Sequence, residues 1–107
     1  MIMKDTVLLD VKRMIDSYPM KDDKEAMRTI CNSLVHFSYD KGLLLKSPFN
    51  EQGELNSETI IRESDLTEKG KSIFDDLAEK WFAYTDRTDK IDNVAMLDKW
   101  YGKMTKE

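Results

Sequence analysis

The apolar residues keep a helical period up to Gly42, lose it from there to Thr67, and then recover it. That double change of rhythm restricts the chain to a helical framework carrying a small β insertion. In the first stretch Val7, Leu8, Val11, Met14, Ile15 and Tyr18 recur as one stripe and predict an amphipathic helix from Lys4 to Tyr18. Pro19 closes it, because proline disfavours helical geometry in the residue before it. A second helix is expected from Asp22 or Asp23, either of which can cap it, with Met27, Ile30, Cys31, Leu34, Val35 and Phe37 or Tyr39 inward. Gly42 is its stop.

Beyond Gly42, "LLLKSPF" and "ETIIRES" are short apolar or β-branched runs separated by "NEQGELNS", whose Asn50, Gly53 and Asn56 form turns. A two-stranded hairpin with a long loop is the reading, with Pro48 limiting its first strand to an edge-like piece. Two strands are marginal in water and must rest on helices. Thr67 then caps a third helix that turns Ile73, Phe74, Leu77, Ala78 and Trp81 to one side. Gly70 in its first turn is expected to cost about 1 kcal/mol relative to Ala. After the break at "YTDRTDK", Thr88 or Asp89 caps a fourth helix bearing Ile91, Val94, Leu97, Trp100, Tyr101 and Met104. The expected fold class is α+β, mainly α: about four helices and one small β-hairpin. With 107 residues, 1–107 is expected to be a single domain.

Charge separates the two parts of the chain. Residues 1–47 hold 8 Lys and Arg against 7 Asp and Glu, whereas residues 48–107 hold 9 against 14, a net of −5. The later part therefore repels nucleic acid at long range and attracts basic proteins. Cys31 has no second thiol to pair with and sits among apolar neighbours, so it reads as buried and inert in a reducing compartment. The first apolar run is broken by Asp10, too soon for a signal sequence, and no run of about 18 apolar residues occurs. A cytoplasmic protein without a membrane partner is expected.

The residues give little to catalysis. One His36, one Cys31 and no Gly-rich phosphate loop leave no nucleophile and base at a recognisable spacing, so no enzyme and no cofactor is expected. His36, between Val35 and Phe37, reads as a partly buried, hydrogen-bonded histidine. Asp75 and Glu79 lie four apart on the third helix, as in helices that hold magnesium, with Asp86, Asp89 and Asp92 as the imaginable second set. Solvated acids and helix caps account for them better, and no metal is expected.

Two resemblances bear on function. Residues 42–74, "GLLLKS" followed by "TIIRESDLTEKGKSIF", resemble the strand, wing, strand and closing helix of winged-helix transcription regulators, with Leu66, Thr67, Glu68 and Gly70 opening the helix. That likeness implies a DNA-binding regulator whose second helix reads the major groove through Lys24, Arg28 and Asn32. Against it, only two helices precede the hairpin, and the wing carries Glu51, Glu54 and Glu58 without a cation.

The segment from Ser64 to Met104 is similar to small immunity proteins paired with bacterial polymorphic and contact-dependent inhibition toxins. This implies a stoichiometric inhibitor that binds a cognate, basic, nuclease-type toxin domain and covers its active site. Five of the ten aromatics, Trp81, Phe82, Tyr84, Trp100 and Tyr101, lie between residues 81 and 101 and cannot all share the inward stripe. Asp75, Asp76, Glu79, Asp86 and Asp89 are the expected charged contacts, and Phe82 and Tyr84 the expected anchors. The immunity protein is the preferred expectation and the winged-helix regulator the alternative, which makes nucleic acid a disfavoured partner.

Overall fold

Asp10 ends one element and starts the next. In the computed structural model, which describes residues 6–56, 58–88, 90, 91 and 93–105, Val7–Asp10 form strand β1 and Val11–Asp16 form helix α1. The Asp10 carboxylate accepts the Arg13 amide at 3.1 Å and so caps α1. The continuous helix expected from Lys4 to Tyr18 is thus corrected to a strand and a short helix. The cause lies far along the chain: Ile60–Arg62 form β2, which pairs antiparallel with β1, Leu9 opposite Ile61 and Asp10 opposite Ile60. Val11 N–H donates to the Thr59 carbonyl at 3.1 Å and Glu63 N–H to Thr6 at 2.9 Å, extending the pairing at both ends. Leu9 and Ile61 are both buried, so the strand geometry hides apolar surface while satisfying the backbone.

Helix α2 spans Lys21–Asp40. Neither Asp22 nor Asp23 is its cap. Met20 holds that position without a side-chain bond, and both aspartates lie in the first turn, where carboxylates favour the positive end of the helix dipole. At the other end Gly42 takes φ 74°, its N–H donates to the Tyr39 carbonyl at 3.0 Å, and Leu43 N–H reaches Ser38 at 2.9 Å. This paired closure needs a left-handed residue and seats Leu43 in the core, so the expected stop at Gly42 is present.

The hairpin forms only at its tip. Phe49 bridges Leu55, the Asn50 side chain accepts the Gln52 and Glu54 amides at 3.0 and 2.9 Å, and Gly53 adopts φ 77°. The arms then diverge: the outgoing one meets Leu66 at Leu44, while the returning one pairs with β1. The expected pairing of the two runs with each other is therefore replaced by pairing with the N-terminal strand.

A 3-10 turn, Glu63–Asp65, leads into α3, Glu68–Thr88. Thr67 caps α3 by accepting the Gly70 amide at 3.1 Å, and its hydroxyl donates to the Gly42 carbonyl at 3.0 Å, tying the start of α3 to the end of α2. Helix α4 spans Val94–Thr105. Thr88 does not cap it; it is the last residue of α3 and accepts the Lys90 amide at 3.2 Å, which leaves Ile91 in the connection. Asp89, the other expected cap, lies outside the described residues.

With four α-helices and a two-stranded antiparallel sheet among the described residues, the fold is α+β and mainly α. One core cluster draws on β1, β2 and all four helices, centred on Trp81, Phe74, Leu34, Leu77 and Leu97. No helix among the described residues is long and apolar enough to cross a membrane.

Candidate functional site

The buried residues of α3 are Gly70, Ile73, Phe74, Leu77, Ala78, Trp81, Tyr84 and Thr85. At about 100° per residue, Glu68, Asp75, Glu79 and Asp86, all exposed, share one narrow stripe on the side away from that face. Phe82 falls about 40° to one side of this line and is half-buried. The helix thus brings Asp75, Glu79, Phe82 and Asp86 into one stripe. Asp76, also exposed, stands roughly a quarter turn away, toward Lys69, Lys80 and Arg87. Glu68 is engaged locally with Lys71 at 3.6 Å. Asp75, Glu79 and Asp86 make no ion pair among the described residues.

Tyr84 is not available as an anchor. Only 8% of it is exposed, its ring stacks on Trp81 with centroids 6.0 Å apart, and the Trp100 edge meets it at 5.6 Å. Its hydroxyl oxygen accepts from the Asn93 side chain at 2.9 Å, which explains how a phenol fits inside. The expectation that one of Phe82 and Tyr84 must look away from the core holds, and Phe82 is that one. Asp89, the last expected contact, lies outside the described residues.

Phe82 opens onto a groove of about 450 Å³ between α1, the first half of α2, the last turns of α3 and Ile91. Met14, Tyr18, Met27, Ile30 and Phe82 give it apolar walls, while Asp23 lines it from α2 and Asp86 from α3. Neither aspartate makes an ion pair among the described residues. The sequence did not point to this groove, because Met14, Tyr18 and Met27 fit the inward stripes of their own helices. Met14 and Tyr18 are only half-buried, whereas Met27 is a core residue that forms part of the groove wall.

The residues expected to read DNA are placed differently. Lys24, Arg28 and Asn32 share a stripe of α2 by their spacing. The Lys24 ammonium, however, donates back to the Ile15 carbonyl at 3.3 Å, and Arg28 lines a small pocket with Asp16 and Glu58. Asn32 is half-buried. The hairpin tip folds onto the C-terminal half of α2: the His36 ring stacks on Phe49 at 3.9 Å, Nε2 donates to the Gly53 carbonyl at 3.2 Å, and Tyr39 meets Phe49 edge-on. His36 is thereby the half-buried, hydrogen-bonded histidine expected. The outer face of α2 exposes Asp22, Glu25 and Asp40 alongside Lys21 and Arg28, so it carries no excess of positive charge.

Cys31 is fully buried, its thiol lies 3.8 Å from the Met27 sulfur, and burial pushes its pKa up to about 12. A thiol held protonated in this way is no nucleophile near neutral pH. Comparison of the chain with protein-family models, with curated proteins and with solved structures finds no match.

Proposed function

We propose that this protein is a non-catalytic cytoplasmic binding protein of the immunity type, which neutralises a cognate basic toxin domain of nuclease type by covering its active site. The observation that carries the reading is the α3 stripe: Asp75, Glu79 and Asp86 project away from the core in a row, with the half-buried Phe82 beside them. From Asp75 to Asp86 the row is roughly 16 Å long at the helical rise, long enough to lay three carboxylates along a basic cleft. Opposite fields accelerate encounter, and a desolvated aromatic supplies lifetime once the surfaces meet.

The surface of α2 weighs against the regulator alternative. A groove-reading helix needs a free, cationic outer face, whereas α2 carries the hairpin tip on its C-terminal half and mixed charges on the remainder. The test is co-expression with the product of the neighbouring reading frame, followed by sizing of the complex and assay of the toxin's nuclease activity. A one-to-one complex without nuclease activity is expected. DNA binding by the isolated protein that weakens steeply with salt, with no such complex, would reject the proposal in favour of the regulator.

A further inference from the structure

We infer that the groove beside Phe82 receives a cationic amphipathic segment of the protein partner, its apolar side chains on Met14, Met27 and Phe82 and its Lys or Arg heads against Asp23 and Asp86. This deepens the proposed function and rests on the reading of α3 as a protein-binding face. Three features select the occupant. The volume, about 450 Å³, lies in the range of about 300–1,000 Å³ that takes a few side chains or a compact ligand. The walls are apolar, and the charged lining residues are both acidic, one on α2 and one on α3. An acidic or neutral apolar occupant would desolvate Asp23 and Asp86 without compensation, whereas a lysine or arginine lays its methylene stem on the apolar wall and its head on the carboxylates. Asp86 also belongs to the outward row of α3, so the groove and the row form one continuous surface.

The methionines make this measurable. Met14 and Met27 line the groove, while Met96 and Met104 on α4 do not. With methyl-labelled methionine, the full-length protein is titrated with three synthetic probes: a short peptide carrying Leu and Lys at helical spacing, the same peptide with Glu for Lys, and an oligolysine. The Leu and Lys peptide should move the Met14 and Met27 methyl resonances and leave Met96 and Met104 in place. The Glu peptide should not bind, and oligolysine should bind about tenfold more weakly or worse, lacking the apolar contribution. Asp23→Asn with Asp86→Asn should weaken the Leu and Lys peptide by about tenfold; both positions are exposed, so the fold is retained. Phe82→Ala should weaken it comparably. Equal binding of the Glu peptide, full binding of oligolysine, indifference to the double aspartate variant, or concentration-dependent Met14 and Met27 shifts without any probe, which would place a second copy of this chain in the groove, would each overturn the inference. If a toxin is bound and the Leu and Lys peptide moves neither methyl, the groove assignment fails while the inhibitor stands. If the peptide seats in the groove and no toxin is bound, the inhibitor reading fails and the groove assignment stands.

Discussion

Trp81 of α3 donates its indole N–H to the carbonyl of Ile30 on α2 at 2.9 Å, in a bond wholly inside the molecule. Ile30 itself and Phe82, the next residue after Trp81, both line the groove, so this bond fixes how far apart two of its walls stand. The fully buried aromatic and the half-buried one at the groove are neighbours in sequence, and the first positions the second.

Trp81→Phe removes that bond and part of a fully buried ring. The expected loss is about 1–3 kcal/mol, the sum of a buried hydrogen bond and a partial cavity, read from the urea midpoint at unchanged slope. A change below about 0.5 kcal/mol, the level of an ordinary surface substitution, would mean that Trp81 does not hold α2 and α3 together.

Gly70→Ala tests a reversal of sign. On helix propensity alone the change should stabilise by about 1 kcal/mol. In the structure a Cβ on Gly70 would run into the Leu43 carbonyl oxygen and lie 3.1 Å from both the Leu43 carbonyl carbon and the Leu66 Cβ. Two of these atoms are backbone that cannot rotate away, so the variant should be destabilised by about 1–3 kcal/mol in the same urea experiment. A stabilised variant would contradict the close approach of α3 to the end of α2.

These two positions mark how far the letters reach. Thr67 as a cap, Gly42 as a stop and Asn50 as a turn former act through bonds within a few residues, and the sequence places each of them correctly. The requirement for glycine at position 70 comes from Leu43, and the strand conformation of Val7–Asp10 comes from Ile60–Arg62, partners that no local pattern announces. The shared face of Asp75 and Glu79 was legible from their spacing of four, whereas the alignment of Asp86 with them and the displacement of Asp76 emerge only once α3 is seen to run unbroken from Glu68 to Thr88. Tyr84 was misplaced because the Asn93 amide that satisfies its hydroxyl lies beyond the end of α3.

Ser38 is fully buried, and its hydroxyl finds no hydrogen-bond partner among the described residues. Ser38→Ala removes an uncompensated polar group at little cost in volume. It should leave stability unchanged or raise it by up to about 1 kcal/mol, measured by thermal unfolding. A loss above about 1 kcal/mol would reveal a bonded hydroxyl.

Cys31 should resist thiol reagents in the native protein at pH 8 and react at the rate of opening. Its pKa is raised from 9.0 in the unfolded chain to about 12 by burial. The thiol's contribution to stability is therefore complete below pH 9 and is lost as pH rises from 9 toward 12, because the unfolded state releases the proton first. The slope is about 1.4 kcal/mol per pH unit in that window. Cys31→Ala should flatten this alkaline part of the stability profile; an unchanged profile would place the thiol in contact with water.

The outward row of α3 is the proposed contact face, and stopped-flow association with the cognate basic toxin tests it most directly. The variants are Asp75→Lys, Glu79→Lys and Asp86→Lys singly and together, with Asp76→Lys as the control a quarter turn away. The triple variant should associate at least about tenfold more slowly at low salt and converge on the wild type at high salt, with an unchanged urea midpoint. Asp76→Lys should have a clearly smaller effect than any residue in the row. Association that is indifferent to the triple reversal, or as sensitive to Asp76 as to Asp86, would contradict the assignment of this face.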